Sequence, residues 1–457
     1  MIASFISSHG WDTKNLKVPE SLPALIQTDS RKAGPGQWFV PIIGENHDGH
    51  DFIDKACELG ADGFLYARSH ASKFKPQYLA RGIAVDDTFK AIQDLAQWWR
   101  AQHLSCKVIG ITGSSGKTSV KELCAEMLKS LALTLKTAGS LNNELGVPLT
   151  LLQLKSEHKF AVIEMGARHK GDIAFLTNIV RQNVGVLINV GSAHVGEFGG
   201  REQILAAKME IADADSSVYF RDDERIHAAM QNKAKKSLSF GRHPEADVRI
   251  VSESCDDQGQ LQIQLMIKGQ AKSFVLPYFH EVYGLNVACV LSIAMSLNLP
   301  VDACIEGLKS YNGIKGRFQV HRLPTYTLID DAYNANPQSM HAGLETLRKA
   351  FPKQRKVLIL GDMRELGEET EHAHREIGSY CAKDIKPELL ITVGESSQWM
   401  HEAALQKGLS RGQLEHYASV DEVLPKLKSI VGRGDLLYVK ASNGLKLFKI
   451  IDTLLAT

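Results

Sequence analysis

The sequence predicts an α/β protein of three domains, with a doubly wound and mostly parallel sheet in the central one. Short apolar runs typical of buried strands alternate with segments of helical apolar spacing, in the middle of the chain and again towards its end. The 457 residues are enough for roughly two to four domains that each bury a core. We predict a small α/β domain over residues 1–84, a central domain over 85–312 and a Rossmann-like domain over 313–457.

The overall charge does not indicate a nucleic-acid or membrane-surface protein. The 53 basic and 52 acidic residues leave a formal net charge of +1, so charged substrates must be bound by local groups. The seven cysteines are odd in number and form no Cys-x-x-Cys motif, which favours reduced thiols and a cytoplasmic protein. The sequence begins without a signal-peptide pattern and contains no run of about 18 apolar residues. We therefore expect no membrane insertion.

Polar residues gather near the strand ends of the N-terminal region. A predicted strand over 37–44 is followed by Asp48-Gly49-His50 and by a helix over 53–59. The tripeptide Asp29-Ser30-Arg31 precedes that strand. Polar residues at strand ends indicate a small-molecule site. Turn and capping roles are the alternative, and composition alone favours them.

A strand, a glycine-containing loop and a helix follow one another in the central region. Residues 107–111 form an apolar run, and residues 120–128 have helical apolar spacing. The loop between them is Thr112-Gly113-Ser114-Ser115-Gly116-Lys117-Thr118-Ser119. Amides at such a helix N-terminus bind phosphate, the lysine adds a positive charge, and the threonine hydroxyl can ligate Mg²⁺. The full motif has a glycine where Ile111 stands, so a glycine-rich turn is the alternative.

Polar and charged residues follow the next strands of the predicted sheet. Glu164 and Asn189 each end a predicted strand, His194 lies in the loop after Asn189, and Lys208 lies on the next helix. Ligands of open α/β sheets bind beyond the carboxyl ends of the strands, which makes Glu164 a natural Mg²⁺ ligand. A single loop histidine or helical lysine is more often a solvated residue. Residues 140–150 contain two asparagines and Gly-x-Pro, which predicts an exposed loop.

The rest of the chain continues the alternation of strands and helices. Residues 217–277 hold short alternating strands, which we predict to be an antiparallel extension of the central sheet. Further strands are predicted at 325–329, 356–360, 389–393 and 436–439, and polar loops follow three of them. No Gly-x-Gly-x-x-Gly pattern follows the first of these strands, so we do not expect a dinucleotide site.

Three sets of short motifs follow one another along the chain. The central set is Gly-x-Thr-Gly-x-x-Gly-Lys-Thr, Asn-Asn-x-x-Gly-x-Pro, Glu-Met-Gly, Asn-x4-His and Ala-Lys-x-Glu. The C-terminal set includes Gly-Arg-Phe, Asp-Asp-Ala-Tyr-Asn-Ala-Asn-Pro and Gly-Asp-Met-Arg-Glu-Leu-Gly, and the N-terminal set includes Asp-Ser-Arg and Asp-Gly-His-Asp-Phe. Together they resemble the Mur ligases, a family of ATP-dependent amide ligases of peptidoglycan synthesis. The resemblance spans all three predicted domains.

The resemblance implies a role for each motif. The ATP phosphates would be held by Gly113, Ser114, Ser115, Gly116, Lys117, Thr118 and Ser119, and the rest of the nucleotide by Asn286, Arg317 and Asp331. One or two Mg²⁺ ions would be bound by Thr118, Glu164, His194 and Lys208, the last being the lysine that is carbamoylated in several relatives. Uridine diphosphate would lie near Ser30, Arg31, Asp48 and His50, and the peptide arm near Asn142 and Asn143. The catalytic residues would be Lys117, His194 and Lys208.

The implied reaction joins D-alanyl-D-alanine to UDP-N-acetylmuramoyl-tripeptide through an acyl phosphate made with ATP. The third residue of the tripeptide, lysine or diaminopimelate, stays open, and a monomer is expected. Two positions depart from the family pattern. Ala441-Ser442-Asn443 replaces a Gly-Ser-Arg-like turn, and Tyr283-Gly284 stands where a His-Asn pair precedes Asn286.

Other functions share part of this pattern. Another amide ligase of the superfamily, either an amino-acid-adding Mur ligase or a folate polyglutamylating ligase, would use the same phosphate loop. The folate ligases, however, begin directly on the loop and lack the N-terminal region. A non-ligating ATP-binding module would hold or hydrolyse ATP without making an amide bond. A phosphate-loop kinase is a third alternative, in which the long C-terminal region has no evident role.

Overall fold

The structure is a computed structural model that describes residues 1–14, 16–191, 200–255, 260–277, 282–311 and 313–456. Its strands form three sheets in which parallel pairing predominates, so the predicted α/β fold class is confirmed. Within the described ranges the chain divides into two units. The first contains the residues up to 238 together with 293–304, and the second contains 239–292 and the residues from 305 onward. The boundaries of the three predicted domains stay a prediction.

The first sheet lies in the N-terminal region of the first unit. Its four strands are parallel and lie in chain order: β1 (Ile26–Gln27), β2 (Trp38–Phe39), β3 (Gly63–Ala67) and β4 (Gly82–Val85). Strand β2 is much shorter than the predicted 37–44, because Pro41 has no amide with which to continue the ladder. The helices of this region are Ile2–Ser8, Leu22–Leu25, Ile53–Glu58 and Thr88–Ala101.

Five parallel strands of the second sheet form the centre of the first unit. They are β5 (Lys107–Thr112), β6 (Thr134–Lys136), β7 (Phe160–Glu164), β8 (Val184–Leu187) and β9 (Ser216–Phe220). They lie in the order β9-β8-β5-β7-β6, so β5 is central and is paired on both sides. Val108, Ile109 and Ile111 of β5 are completely buried, which explains why this run reads as apolar throughout. The loops after β5, β7 and β8 therefore emerge at one edge of the sheet.

Helices alternate with these strands along the chain, as in other doubly wound folds. They are Lys117–Lys129, Gly146–Leu151, Asp172–Val180, Arg201–Lys208 and Glu224–Lys233. The prediction of an exposed loop over 140–150 is wrong at its C-terminal end, where Gly146–Leu151 is helical and largely buried. Pro148 lies in the first turn of that helix, where a missing amide costs no hydrogen bond.

Four further strands follow in the chain: β10 (Ser237–Gly241), β11 (Val248–Cys255), β12 (Leu261–Ile267) and β13 (Gln270–Leu276). Strands β11, β12 and β13 are antiparallel as predicted, whereas β10 pairs with β11 in parallel. The helices Val282–Ser296 and Val301–Leu308 come next.

The C-terminal sheet of the second unit has six strands. They are β14 (Gln319–Arg322), β15 (Thr327–Asp331), β16 (Lys356–Gly361), β17 (Leu389–Val393), β18 (Leu414–Tyr417) and β19 (Leu436–Lys440), in the order β14-β15-β19-β16-β17-β18. Only the β14–β15 pair is antiparallel among them. The accompanying helices are Pro337–Ala350, Thr370–Tyr380, Gln398–Gln406, Val420–Val423, Leu427–Ile430 and Phe448–Leu455.

Among the described residues, none of these helices combines the length and the apolar character needed to cross a lipid bilayer. The seven cysteines are all free thiols, and six of them are buried.

Candidate active site

The phosphate loop has the geometry that its sequence predicts. Strand β5 ends at Thr112, and the helix Lys117–Lys129 begins after a turn closed by Gly116. Gly116 has a φ of +80°, a left-handed conformation that strains any residue with a side chain. The first amides of the helix have no acceptor within it, and they carry the positive end of the helix dipole. This helix N-terminus is therefore a ready site for phosphate.

Two lysines converge on one carbonyl of this loop. Lys117 Nζ donates to Gly113 O at 2.8 Å, and Lys208 Nζ donates to the same oxygen at 3.2 Å. Burial, with a smaller contribution from the nearby charge of Lys117, lowers the pKa of Lys208 to about 7. Two amines held this close favour an anion beside the loop, because an anion would relieve their repulsion.

Glu164, at the end of β7, presents a carboxylate with one unsatisfied oxygen. Asn142 Nδ2 donates to Glu164 Oε1 at 2.8 Å, and the Glu164 amide donates to Thr137 Oγ1 at 3.0 Å. Glu164 Oε2 is buried and has no hydrogen-bond partner among the described residues. A buried carboxylate oxygen without a donor fits a cation, so the donor set is suited to Mg²⁺.

The two asparagines of the Asn-Asn motif have different roles. Asn142 orients Glu164 and also packs against Gly166, where a Cβ would lie only 2.8 Å from Asn142 Oδ1. This close approach explains the glycine of the Glu-Met-Gly motif. Asn143 Oδ1 accepts from the amide of Gly146 at 2.9 Å and so caps the helix that begins there. The structure therefore places Asn142 beside the predicted metal ligand.

Lys121 was not predicted as a site residue, yet it is completely buried beside Glu164. Its Nζ donates to Thr137 O at 2.8 Å and to Gly139 O at 2.7 Å. It pairs with Glu122 at 3.0 Å and lies 3.8 Å from Glu164 Oε2. Lys121 follows Lys117 by four residues and shares its helix face, which is the only sequence signal that points to it.

We expect Lys121→Met to destabilise the protein by about 3–5 kcal/mol, because it leaves buried carbonyls and carboxylates without their cation. Urea unfolding followed by circular dichroism measures the change. The matched control is Lys136→Met, since Lys136 also pairs with Glu122 but is 45% exposed. An exposed pair is worth about 0–1 kcal/mol. Similar losses in both variants would contradict a special role for Lys121.

Glu210, the acidic residue of the Ala-Lys-x-Glu motif, accepts hydrogen bonds from a neighbouring helix N-terminus. Its two carboxylate oxygens accept from the amides of Gly171 at 3.1 Å and Ala174 at 2.9 Å. Glu210 thereby caps the helix Asp172–Val180 from outside, at the end where a negative charge is favourable. It fixes the segment of Lys208 to the segment that follows β7. The predicted metal ligand His194 lies outside the described residues.

Two of the four residues predicted to lie near uridine diphosphate, Asp48 and His50, belong to one hydrogen-bonded cluster. His50 is completely buried, its Nδ1 contacts Asp48 Oδ1 at 2.7 Å, and its Nε2 accepts from the amide of Ala67 at 3.0 Å. Burial lowers the pKa of His50, so the neutral Nδ1–H form fits both bonds. Lys73 Nζ lies 2.8 Å from Asp48 Oδ2. Because both ring nitrogens already have hydrogen-bond partners, His50 contributes to this site by holding Asp48 in place.

Ser30 and Arg31 lie on the turn before β2. Arg31 is 86% exposed and forms a two-point ion pair with Asp29, with both N···O distances at 2.9 Å. Ser30 is half-buried. His70 approaches Asp48 Oδ2 at 3.3 Å and stacks on His50. Asp48, His50 and His70 could together offer ligand atoms to a metal, but Lys73 already neutralises Asp48, which disfavours a cation there.

In the second unit, Asp331 is held by three donors. Its Oδ1 accepts from the amide of Phe318 at 3.1 Å, and its Oδ2 accepts from Tyr438 Oη and from Lys440 Nζ, each at 2.8 Å. Tyr438 and Lys440 lie on β19, which pairs with β15, the strand that ends in Asp331. Neither was predicted, because the sequence separates them from Asp331 by more than a hundred residues.

Arg317 and Asn286 are also buried or partly buried in the second unit. The Arg317 guanidinium lies 4.4 Å from the ring centroid of Tyr333, and its Nε is buried with no hydrogen-bond partner among the described residues. Asn286 is 6% exposed and lies on the helix Val282–Ser296.

The C-terminal turn that departs from the family pattern joins several loops. Ser442 Oγ accepts from the amide of Arg364 at 2.9 Å and donates to Ala335 O at 3.3 Å. The guanidinium of Arg364 packs against Gly444. An arginine from the loop after β16 therefore lies at the turn that lacks one of its own.

Three segments of the chain match domains of one family. Residues 24–100 match the catalytic domain of the Mur ligase family, residues 111–294 the Mur ligase middle domain, and residues 316–443 the Mur ligase glutamate ligase domain. The chain is also 32% identical over 434 residues to UDP-N-acetylmuramoyl-tripeptide–D-alanyl-D-alanine ligase of Bacillus subtilis (strain 168), covering 94% of this chain and 93% of that protein. The chain belongs to the Mur ligase family.

Other Mur ligases show the same relation. The ligase of that name from Escherichia coli (strain K12) is 32% identical over 448 residues, which cover 94% of this chain and 93% of the relative. A crystal structure of MurF from Acinetobacter baumannii superposes with a TM-score of 0.88 at 29% identity, covering 100% of this chain and 98% of that one. MurF of Thermotoga maritima in complex with ADP has a TM-score of 0.81 at 28% identity, covering 95% and 98%. The predictions of a Mur ligase and of its fold class are confirmed.

Proposed function

We propose that this Mur ligase joins D-alanyl-D-alanine to UDP-N-acetylmuramoyl-tripeptide with ATP, giving the UDP-muramoyl-pentapeptide, ADP and phosphate. The main support is the likeness over 94% of the chain to ligases that carry this activity in their names. The proposal includes a monomer acting in the cytoplasm. The role of each residue in the two steps is likewise proposed.

In the first step, the terminal carboxylate of the tripeptide attacks the γ-phosphorus of ATP, and ADP leaves. Attack of one anion on another needs positive charge at the transferring group. We assign that charge to Lys117 and to the amides at the start of the helix Lys117–Lys129. Asn286, Arg317 and Asp331 are proposed to contact the rest of the nucleotide.

In the second step, the amine of D-alanyl-D-alanine attacks the acyl carbon, and phosphate leaves from the tetrahedral intermediate. Thr118 and Glu164, with His194 and Lys208, would hold Mg²⁺, which when bound supplies charge neutralisation at the phosphates. Asn142 keeps the Glu164 carboxylate oriented through its 2.8 Å hydrogen bond. Ser30, Arg31, Asp48 and His50 would lie near the uridine diphosphate, with His50 acting through Asp48.

The decisive experiment measures ADP release with each co-substrate added alone and with both together. A ligase of this kind releases ADP at full rate only when UDP-tripeptide and D-alanyl-D-alanine are both present. Running the assay with lysine and with diaminopimelate in the tripeptide identifies the preferred substrate. ADP release that ignores both co-substrates would instead support a non-ligating ATP-binding module.

We also propose that Lys208 is carbamoylated. Its Nζ is buried and its pKa is lowered to about 7 by that burial, so much of the amine is neutral at neutral pH. The neutral nitrogen attacks CO₂, a C–N bond forms, and the nitrogen releases a proton to leave an anionic carbamate. We expect more carbamate as the pH rises through about 7.

Carbon NMR of the protein in ¹³C-bicarbonate tests this proposal. We expect a carbamate signal that is lost in Lys208→Met. The control is Lys356→Met, because Lys356 is another buried lysine whose pKa burial lowers, but it lies on β16. A signal that survives in Lys208→Met, or that disappears in Lys356→Met, would refute the assignment.

A further inference from the structure

Two backbone amides of the phosphate loop, those of Ser114 and Ser115, are hydrogen-bonded within the protein to Asn189. The amides of Ser114 and Ser115 both donate to Asn189 Oδ1, each at 3.0 Å, and the Ser114 amide also lies 3.2 Å from Asn189 O. In return, Asn189 Nδ2 donates to Ser115 O at 3.1 Å and to Ser115 Oγ at 3.3 Å. The first half of the loop is therefore hydrogen-bonded to one residue, which follows the end of the neighbouring strand β8.

The pairing of the strands brings Asn189 to this position. Strand β8 pairs with β5 in parallel register, with Thr112 opposite Leu187, so the chain after β8 runs beside the loop. Gly113 allows the close approach, since a Cβ there would lie 3.2 Å from Ile188 Cβ and 3.5 Å from Asn189 Oδ1. A second bond reinforces the contact, in which the amide of Gly191 donates to Ser114 Oγ at 2.9 Å.

An amide that donates to Asn189 is not available to an anion. The amides left to face phosphate are those at the start of the helix Lys117–Lys129, where the first helical bond runs from Val120 N to Gly116 O at 3.0 Å. Holding Ser114 and Ser115 in place fixes the direction in which these helix amides point. A site that is already arranged needs no reorganisation when the ligand binds.

We propose that Asn189 is a positioning residue for ATP. Its side chain holds the backbone of Ser114 and Ser115 in one conformation before the nucleotide binds, so that the amides at the start of the helix are oriented to bind the phosphates. This rests on the proposed use of ATP by the loop. The role needs an acceptor and a donor on one short side chain. Aspartate keeps the acceptor but loses the donor and adds a negative charge near the phosphates, and leucine of similar size lacks both.

The chain supplies a matched control on the same strand pair. Asn183 lies at the opposite end of β8, where its Oδ1 accepts from the amide of Val108 at 2.9 Å and its Nδ2 donates to Asp215 Oδ2 at 2.8 Å. Asn183 therefore also ties β8 to β5 through a backbone amide. It lies far along the strand from the phosphate loop, so its loss should affect stability without changing the loop.

Calorimetric titration of the full chain with ADP and Mg²⁺ tests the proposal. We expect Asn189→Leu and Asn189→Asp to weaken ADP binding about tenfold to a hundredfold, given the loss of two or more hydrogen bonds. Asn183→Ala should lower the melting temperature but change the ADP dissociation constant by less than about twofold. In turnover, the KM for ATP should rise in the Asn189 variants, while the KM for UDP-tripeptide stays unchanged.

Hydrogen exchange of the free protein gives a readout that does not need nucleotide. We expect faster exchange of the loop peptide containing Ser114 and Ser115 in the Asn189 variants, and unchanged exchange there in Asn183→Ala. Asn189→Asp keeps the shape of the native side chain, so it replaces Asn189→Leu in these measurements if the leucine variant fails to fold. Wild-type ADP affinity in Asn189→Asp, or equal weakening in Asn183→Ala, would overturn the proposal. Loss of ligase activity with intact ADP binding would instead count against the proposed reaction.

Discussion

Lys117→Ala should reduce turnover by about 10³-fold or more while leaving binding of UDP-tripeptide intact. Lys117 lies at the N-terminus of the phosphate-loop helix, and its Nζ is held beside the loop by Gly113 O at 2.8 Å. Removing a fixed positive charge from a phosphoryl-transfer site removes stabilisation that exists mainly in the transition state. The fold should tolerate the change, because Lys208 still donates to the same carbonyl at 3.2 Å.

Steady-state ADP release and calorimetric binding of UDP-tripeptide measure the two effects separately. The control is Lys129→Ala, which removes the last lysine of the same helix, at a position that is 69% exposed. This variant should behave like the native protein in both assays. If Lys117→Ala lost UDP-tripeptide binding in parallel with turnover, the lysine would have to be regarded as structural.

The second large effect is expected for Glu164→Gln. The substitution preserves the shape of the side chain and an oxygen that can accept from Asn142 Nδ2. It removes the negative charge and the buried Oε2, which has no hydrogen-bond donor among the described residues and fits a cation. We expect turnover at saturating substrate to fall about 10²–10³-fold, and half-maximal activation to need more Mg²⁺.

The measurement is the rate of ADP release as a function of Mg²⁺ concentration. Glu122→Gln is a suitable control, because Glu122 is the other carboxylate paired with Lys121, at 3.0 Å. It should lose some stability and keep the Mg²⁺ dependence of the native protein. An unchanged Mg²⁺ requirement in Glu164→Gln would show that this carboxylate does not bind the metal.

Much of the fold could be predicted because its signals are local. The apolar run of β5, the glycine turn and the helical spacing after Lys117 all lie within about twenty residues, and the structure has the predicted strand, loop and helix. The prediction of a loop is wrong over 146–150, because a proline in the first turn of a helix, such as Pro148, does not end the helix.

The environments of the site residues could not be predicted, because they depend on contacts between distant segments. Lys121 is an ordinary helical lysine in the sequence, and only Thr137, Gly139 and Glu164 make it a buried cation. The burial of His50 likewise depends on β3, whose Ala67 donates to its ring. Motifs of a known family located the candidate site, but long-range packing decides what each side chain contacts there.

The link made by Glu210 has a consequence for how a cation would be selected. Glu210 lies two residues after Lys208, and it fastens Gly171 and Ala174, which follow Glu164 by a short connection. The segments that carry Glu164 and Lys208, on the two sides of the predicted metal site, are thus connected through Glu210. A site whose segments are connected in this way is rigid, so its ligands adjust little to an ion of a different radius. Discrimination between Mg²⁺ and the larger Ca²⁺ should therefore depend as much on Glu210 as on the groups that touch the ion.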